Sequence, residues 1–169
     1  SGATGEATVS PSSITFTASN WDTAQTVTVT GVNDNIDANH TATITASVND
    51  GSSDDVYDAL ADQTVAITLT DDDTAGFSLS TTAITIDENG GTGTFTIVLD
   101  TEPTSDVVID LSSGATGEAT VSPSSITFTA SNWDTAQTVT VTGVNDNIDA
   151  NHNATITASV NDGASDDVY

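Results

Sequence analysis

Apolar residues alternate with Thr and Ser along nearly the whole of this chain. Phe95, Ile97 and Leu99 share one face of a run whose other face is Thr94 and Thr96. The same alternation sets Val107, Ile109 and Leu111 together, then Ile126 with Phe128, Val139 with Val141, and Ala154, Ile156, Ala158 and Val160. It returns in Val65, Ile67 and Leu69, in Phe77 with Leu79, and in Ile84 with Ile86. A period of two marks strands with one buried face. No segment carries a convincing period of 3.6, although 57–62 has room for one helical turn. Strands are therefore expected at 65–70, 76–86 (broken near Thr81), 93–99, 106–111, 125–129, 137–143 and 154–160. Gly, Asn, Asp and Pro separate them. The fold class that follows is all-β, an antiparallel sandwich.

The chain also repeats itself. Residues 113–169 match residues 1–57 at an offset of 112, with two differences: Thr41 becomes Asn153 and Ser52 becomes Ala164. A unit duplicated this faithfully is a building block of a tandem array, which favours mechanical or adhesive work over catalysis. The best seam is DDDTAGF, Asp71–Phe77, where an acidic triplet ends one strand and another begins. Residues 1–73 then read as the last strands of one sandwich, and 74–169 as the first strands of the next. The link between 65–70 and 76–86 is short and spans at most ~20 Å. It cannot easily fold 76–111 back onto 1–73. Neighbouring copies, in the same chain or another, are expected to complete each half.

Charge narrows the partners. There is no Lys and no Arg against 25 Asp and Glu, a formal charge of −25. Such a chain has no cation to meet phosphate, so nucleic acid is excluded, and anionic lipid is an equally poor partner. No apolar run approaches the roughly 18 residues of a membrane span. Cys and Met are absent, so neither a disulfide nor a thiolate metal site is available. What the composition calls for is high salt, divalent cations, or both.

Strand direction alternates in an antiparallel sandwich, so loops distant in sequence meet at one pole. Four places converge there: Asp87, Glu88 and Asn89; Glu118; Asn145, Asp146, Asn147 and Asp149; and the triplet Asp71, Asp72 and Asp73. The first copy repeats Glu6, Asn33, Asp34, Asn35 and Asp37. Flexible loops offering only oxygen suit Ca²⁺, with six to eight oxygen ligands, better than Zn²⁺ or Cu²⁺. At the other pole Asp162, Asp166 and Asp167 would face the triplet, and a second Ca²⁺ is expected to bridge there.

These residues resemble a known family. An early acidic loop, a GE pair at 117–118, paired acids near Asp146 and the terminal DDD are similar to the Calx-beta domain, an Ig-like sandwich. TASNWDTAQTVTVTGVNDNID, residues 17–37, looks like the tandem extender repeats of giant bacterial surface adhesins. The resemblance covers the whole chain. It implies Ca²⁺ at Glu88, Glu118, Asp146 and Asp149, and in the first copy at Glu6, Asp34, Asp37, Asp71, Asp72 and Asp73. It also implies an extracellular, cell-surface setting.

Other features read blandly. Trp21 and Trp133 suit a sandwich rim. His40 and His152 have no Cys, second His or activated nucleophile near in sequence, so neither a catalytic nor a Zn²⁺ role is expected. Asn89-Gly90-Gly91 reads as a turn that needs positive φ. The leading expectation is a calcium-rigidified spacer of a bacterial adhesin, not an enzyme, whose partners are neighbouring copies of the repeat. A self-assembling fibre or surface-layer subunit completed by strand exchange is the first alternative. A carbohydrate-binding module is the second.

Overall fold

The structure, a computed structural model, describes residues 5–148 and 150–169; Asp149 is outside them. Every strand pairing among the described residues is antiparallel. Among the described residues no helix is long and apolar enough to cross a membrane, a statement that leaves β-barrels aside. The chain divides into two units, Ser1–Asp34 with Ala38–Asp71, and Asn35–Asp37 with Asp72–Tyr169.

The first unit carries β1 (Ala7–Ser10), β2 (Thr28–Gly31), β3 (His40–Ala46) and β4 (Gln63–Leu69). These form two two-stranded sheets, β1–β2 and β3–β4. In the second, β3 opposes β4 from His40↔Leu69 to Ala46↔Gln63. The expected helical turn near 57–62 takes the form of a 3₁₀ turn slightly earlier, at Asp55–Tyr57, with Asp54 accepting from Val56 N.

The second unit is a sandwich. Its strands are β5 (Phe77–Leu79), β6 (Thr92–Leu99), β7 (Val107–Ser113), β8 (Ala119–Ser122), β9 (Ser125–Phe128), β10 (Gln137–Gly143) and β11 (Ile156–Val160). One sheet has the order β5-β6-β10-β8 and the other β11-β7-β9. Their inward side chains merge into a single buried layer. Phe95, Ile97, Leu99, Val139 and Val141 come from the first sheet, and Val107, Ile109, Leu111, Ile126 and Phe128 from the second. Each is an apolar position of the period-two pattern, and the Thr residues between them face out.

Two details depart from the sequence expectation. Residues 119–122 form a strand, β8, that pairs with β10; a four-residue run holding two apolar positions is too short for its alternation to be read. The long strand expected over 76–86 is regular only at Phe77–Leu79. Beyond Leu79 the chain runs without a ladder to the turn at Asp87–Gly91. That turn has Gly90 at φ 78°, the positive φ expected of Asn89-Gly90-Gly91. Gly143 lets the turn close, because a Cβ there would stand 2.3 Å from the Asp87 carbonyl oxygen.

The duplicated sequence supplies an internal control. Phe128 is fully buried, whereas Phe16, its counterpart, is 51% exposed. Residues 125–128 form β9 against β7, whereas their copy at 13–16 is in no strand. Among the described residues, the difference is what lies opposite: β6 and β7 belong to the second unit. Burying a Phe against a matching layer stabilises by several kcal/mol, and truncating it costs about 3–5 kcal/mol. Phe128→Ala should therefore lower the stability of the second unit by about 3 kcal/mol or more. Phe16→Ala should change the first by less than ~1 kcal/mol. Denaturant unfolding with unit-resolved hydrogen exchange checks this, and equal costs at the two sites would contradict the account.

Candidate functional site

Acidic side chains gather at three places among the described residues: Glu6, Asp34 and His40; Glu118, Asp146 and His152; and Asp71, Asp72 and Asp73. In each group one ligand-type atom per residue lies within 4.8 Å of the others.

The second group is built by loops at one end of the sandwich. Glu118 sits in the turn before β8, held by its N–H donating to Ala115 O. Its carbonyl accepts from Val144 N, just beyond β10, which fixes the two loops together. Asp146 caps its own loop by accepting from Ile148 N, an Asx turn. His152 begins the segment that leads to β11. Its Nδ1 lies 2.6 Å from Glu118 Oε2 and 3.5 Å from Asp146 Oδ2. The first copy repeats the arrangement: His40 Nδ1 is 2.6 Å from Glu6 Oε2 and 3.2 Å from Asp34 Oδ2. His152 Nδ1 and Glu118 Oε2 form a hydrogen bond, and because an ionised carboxylate can only accept, the His152 imidazole donates there.

The two histidines were not expected at the site. Their carboxylate partners are 34 residues upstream and six upstream, so no local motif shows them. The available signal was charge: in a chain without Lys or Arg, an imidazole is the one side chain able to meet an acid as a cation.

The triplet lies in the segment that links β4 to β5. Asp71 donates its N–H to Asn39 Oδ1. Its Oδ2 is buried with no hydrogen-bond donor against it. A buried carboxylate oxygen without a donor is costly unless a cation meets it. With three carboxylates converging, the donor set fits a hard oxygen-seeking ion such as Ca²⁺.

The remaining candidates are dispersed. Asp37 belongs to the second unit, where its Oδ2 accepts from Ala75 N. Asp87 and Glu88 are exposed and line an open groove shared with Glu118 and His152. Asp149 is outside the described residues. Asp167 is exposed.

Asp166 is placed in a socket, not at an acidic cluster. It is only 5% exposed. Oδ2 accepts from Thr104 Oγ1 and Ser105 N, both at 2.7 Å, and Oδ1 accepts from Val168 N at 3.2 Å. Burial alone would raise its pKa; the hydrogen bonds from Thr104, Val168 and Ser105 outweigh that and hold it below the usual value of 3.8. These bonds fasten the chain end to the loop before β7.

Comparison with known proteins found no matching family model, no matching curated protein and no matching solved structure.

Two outcomes check this geometry. His152→Ala should remove the donor between Glu118 and Asp146 and destabilise the second unit by about 1 kcal/mol at low salt; the loss should shrink in high salt, as chemical denaturation would record. For Asp166, a folded pKa below the unfolded one adds stability that is present above about pH 4 and is lost as pH falls through the folded pKa. Asp166→Asn should therefore be less stable than the parent at neutral pH, and the two unfolding curves should converge in acid.

Proposed function

We propose that this chain is a calcium-rigidified structural spacer from a tandem array, of the kind that extends bacterial cell-surface adhesins. The observation that carries the reading is the triplet Asp71–Asp73, whose clustered carboxylates include a buried oxygen without a donor. The triplet lies in the segment joining β4 to β5. An ion held there would restrict that segment. Glu118 with Asp146, and Glu6 with Asp34, would add oxygen ligands at their own poles once the imidazole is displaced.

The electrostatics support the same reading. With 25 acids and no Lys or Arg, the carboxylates gathered in the loops repel one another, and the repulsion is strongest where three are adjacent. A divalent ion removes that repulsion and fixes the loop at once. An Ig-like, Calx-beta-like sandwich carrying outward Thr would serve as an inert, soluble strut. Its setting would be extracellular, where Ca²⁺ is abundant enough for sites of about 10⁻⁴–10⁻³ M affinity.

Thermal unfolding tests the reading. Ca²⁺ at a hundred times its dissociation constant should add about 2.7 kcal/mol, a rise of roughly 10–20 °C for a domain of this size. NaCl at matched ionic strength should give much less, EDTA should reverse the gain, and Asp71→Asn with Asp73→Asn should abolish most of it. If NaCl and CaCl₂ act alike, the spacer is not calcium-dependent.

A further inference from the structure

An open groove of about 1090 Å³ runs along the second unit. One wall is the ladderless segment 81–88, the other is formed by Ile148 and residues 150–156, and Phe95 and Val141 form part of the floor. Ile84, Ile86 and Ile156 give it an apolar strip between polar lining residues such as Thr85, Asn151 and Thr155. The second wall leads into β11, which pairs with β7 from Ile156 to Val160, and no strand among the described residues pairs with the other edge of β11.

The repeat identifies what fits. Residues 152–158 are the second copy of β3, His40–Ala46, differing only by Asn153 for Thr41. In the first unit that strand is paired along its full length by β4, Gln63–Leu69. We propose that the groove is a docking site for β4 of a second copy of this chain, entering as an added antiparallel strand. The register carries over: Leu69 of the incoming strand lies opposite His152, and Thr64 opposite Thr157.

Three physical points favour this occupant. The strand exchanges one partner for an almost identical one, so its backbone hydrogen bonds are conserved. It then gains apolar contact that the first unit withholds, since Val65 is 60% exposed there. Finally, QTVAITL carries no charge, so its insertion adds no carboxylate to an acidic surface. A donor strand in the first unit and a groove in the second make a head-to-tail contact, which builds strings or rings, not two-fold dimers. The proposal concerns the groove and stands apart from calcium at the acidic clusters.

The chain has no Cys, so single cysteines report the contact cleanly. Directly opposed antiparallel residues have Cα atoms about 4.5–5.5 Å apart, within disulfide reach, and Thr64 and Thr157 are both exposed. Chains carrying Thr64→Cys and Thr157→Cys would be mixed and oxidised in excess CaCl₂, with heterodimer formation followed by mass. CaCl₂ screens the acids that the register brings near one another. The in-register pair should cross-link at least tenfold faster than Thr64→Cys mixed with Thr155→Cys. Adding Val65→Asp to the donor should slow the reaction at least tenfold, and the exposure of Val65 leaves the first unit folded. Equal rates for the two pairs, no heterodimer, or indifference to Val65→Asp would each overturn the proposal.

Discussion

One apolar layer, shared between two sheets, makes the second unit. Phe95, Ile97 and Leu99 on β6 meet Val107, Ile109 and Leu111 on β7 only because β9 and β10 close the layer from either side. Removing either contributor leaves strands that are correctly patterned but have nothing to bury against. The first unit displays that condition. Residues 1–57 match residues 113–169 at all but two positions, yet Phe16 and Trp21 remain exposed. Burial in this protein is a property of the assembly of strands, not of the strands themselves.

The second constraint is charge. With almost no cations, the protein handles its carboxylates in three ways. Most point into water. Asp166 is buried and held by donors from Thr104, Ser105 and Val168, which do the work a salt bridge would do elsewhere. Glu6, Asp34, Glu118 and Asp146 are set against the two histidines. The triplet at Asp71–Asp73 follows none of these wholly, which is why the calcium reading rests most heavily there.

Much of the fold was legible because a strand's period is short and local. The runs around Phe95, Val107, Val139 and Ile156 each become a strand within a few residues of where the alternation places them. Residues 76–86 show the limit. The apolar pattern of Ile84 and Ile86 is strand-like, but a strand needs a partner edge, and the sequence does not say where that partner is. The acidic groups were partly legible in the same sense. Glu118 and Asp146 do meet, because alternating strands return their loops to one end. The role of His152 was not legible, since it depends on a contact spanning 34 residues. The socket of Asp166 was hidden for a similar reason: an acid among acids looks solvated until its donors are seen.

The histidines bear on how a calcium-dependent pole would behave. Under the proposed function, the imidazole and a divalent ion would compete for the same carboxylate oxygens, since each needs the lone pairs of Glu118 and Asp146. The imidazole offers one ring nitrogen from a side chain fixed in place. Calcium would bring two positive charges and take oxygen ligands from several loops at once. The imidazole would then hold one loop pair when the ion is scarce, and the ion would draw in more of the chain when it is plentiful. The two copies place His40 and His152 alike against their carboxylates, and any added rigidity would come from the surroundings. A spacer built this way would fold before reaching calcium and stiffen only afterwards.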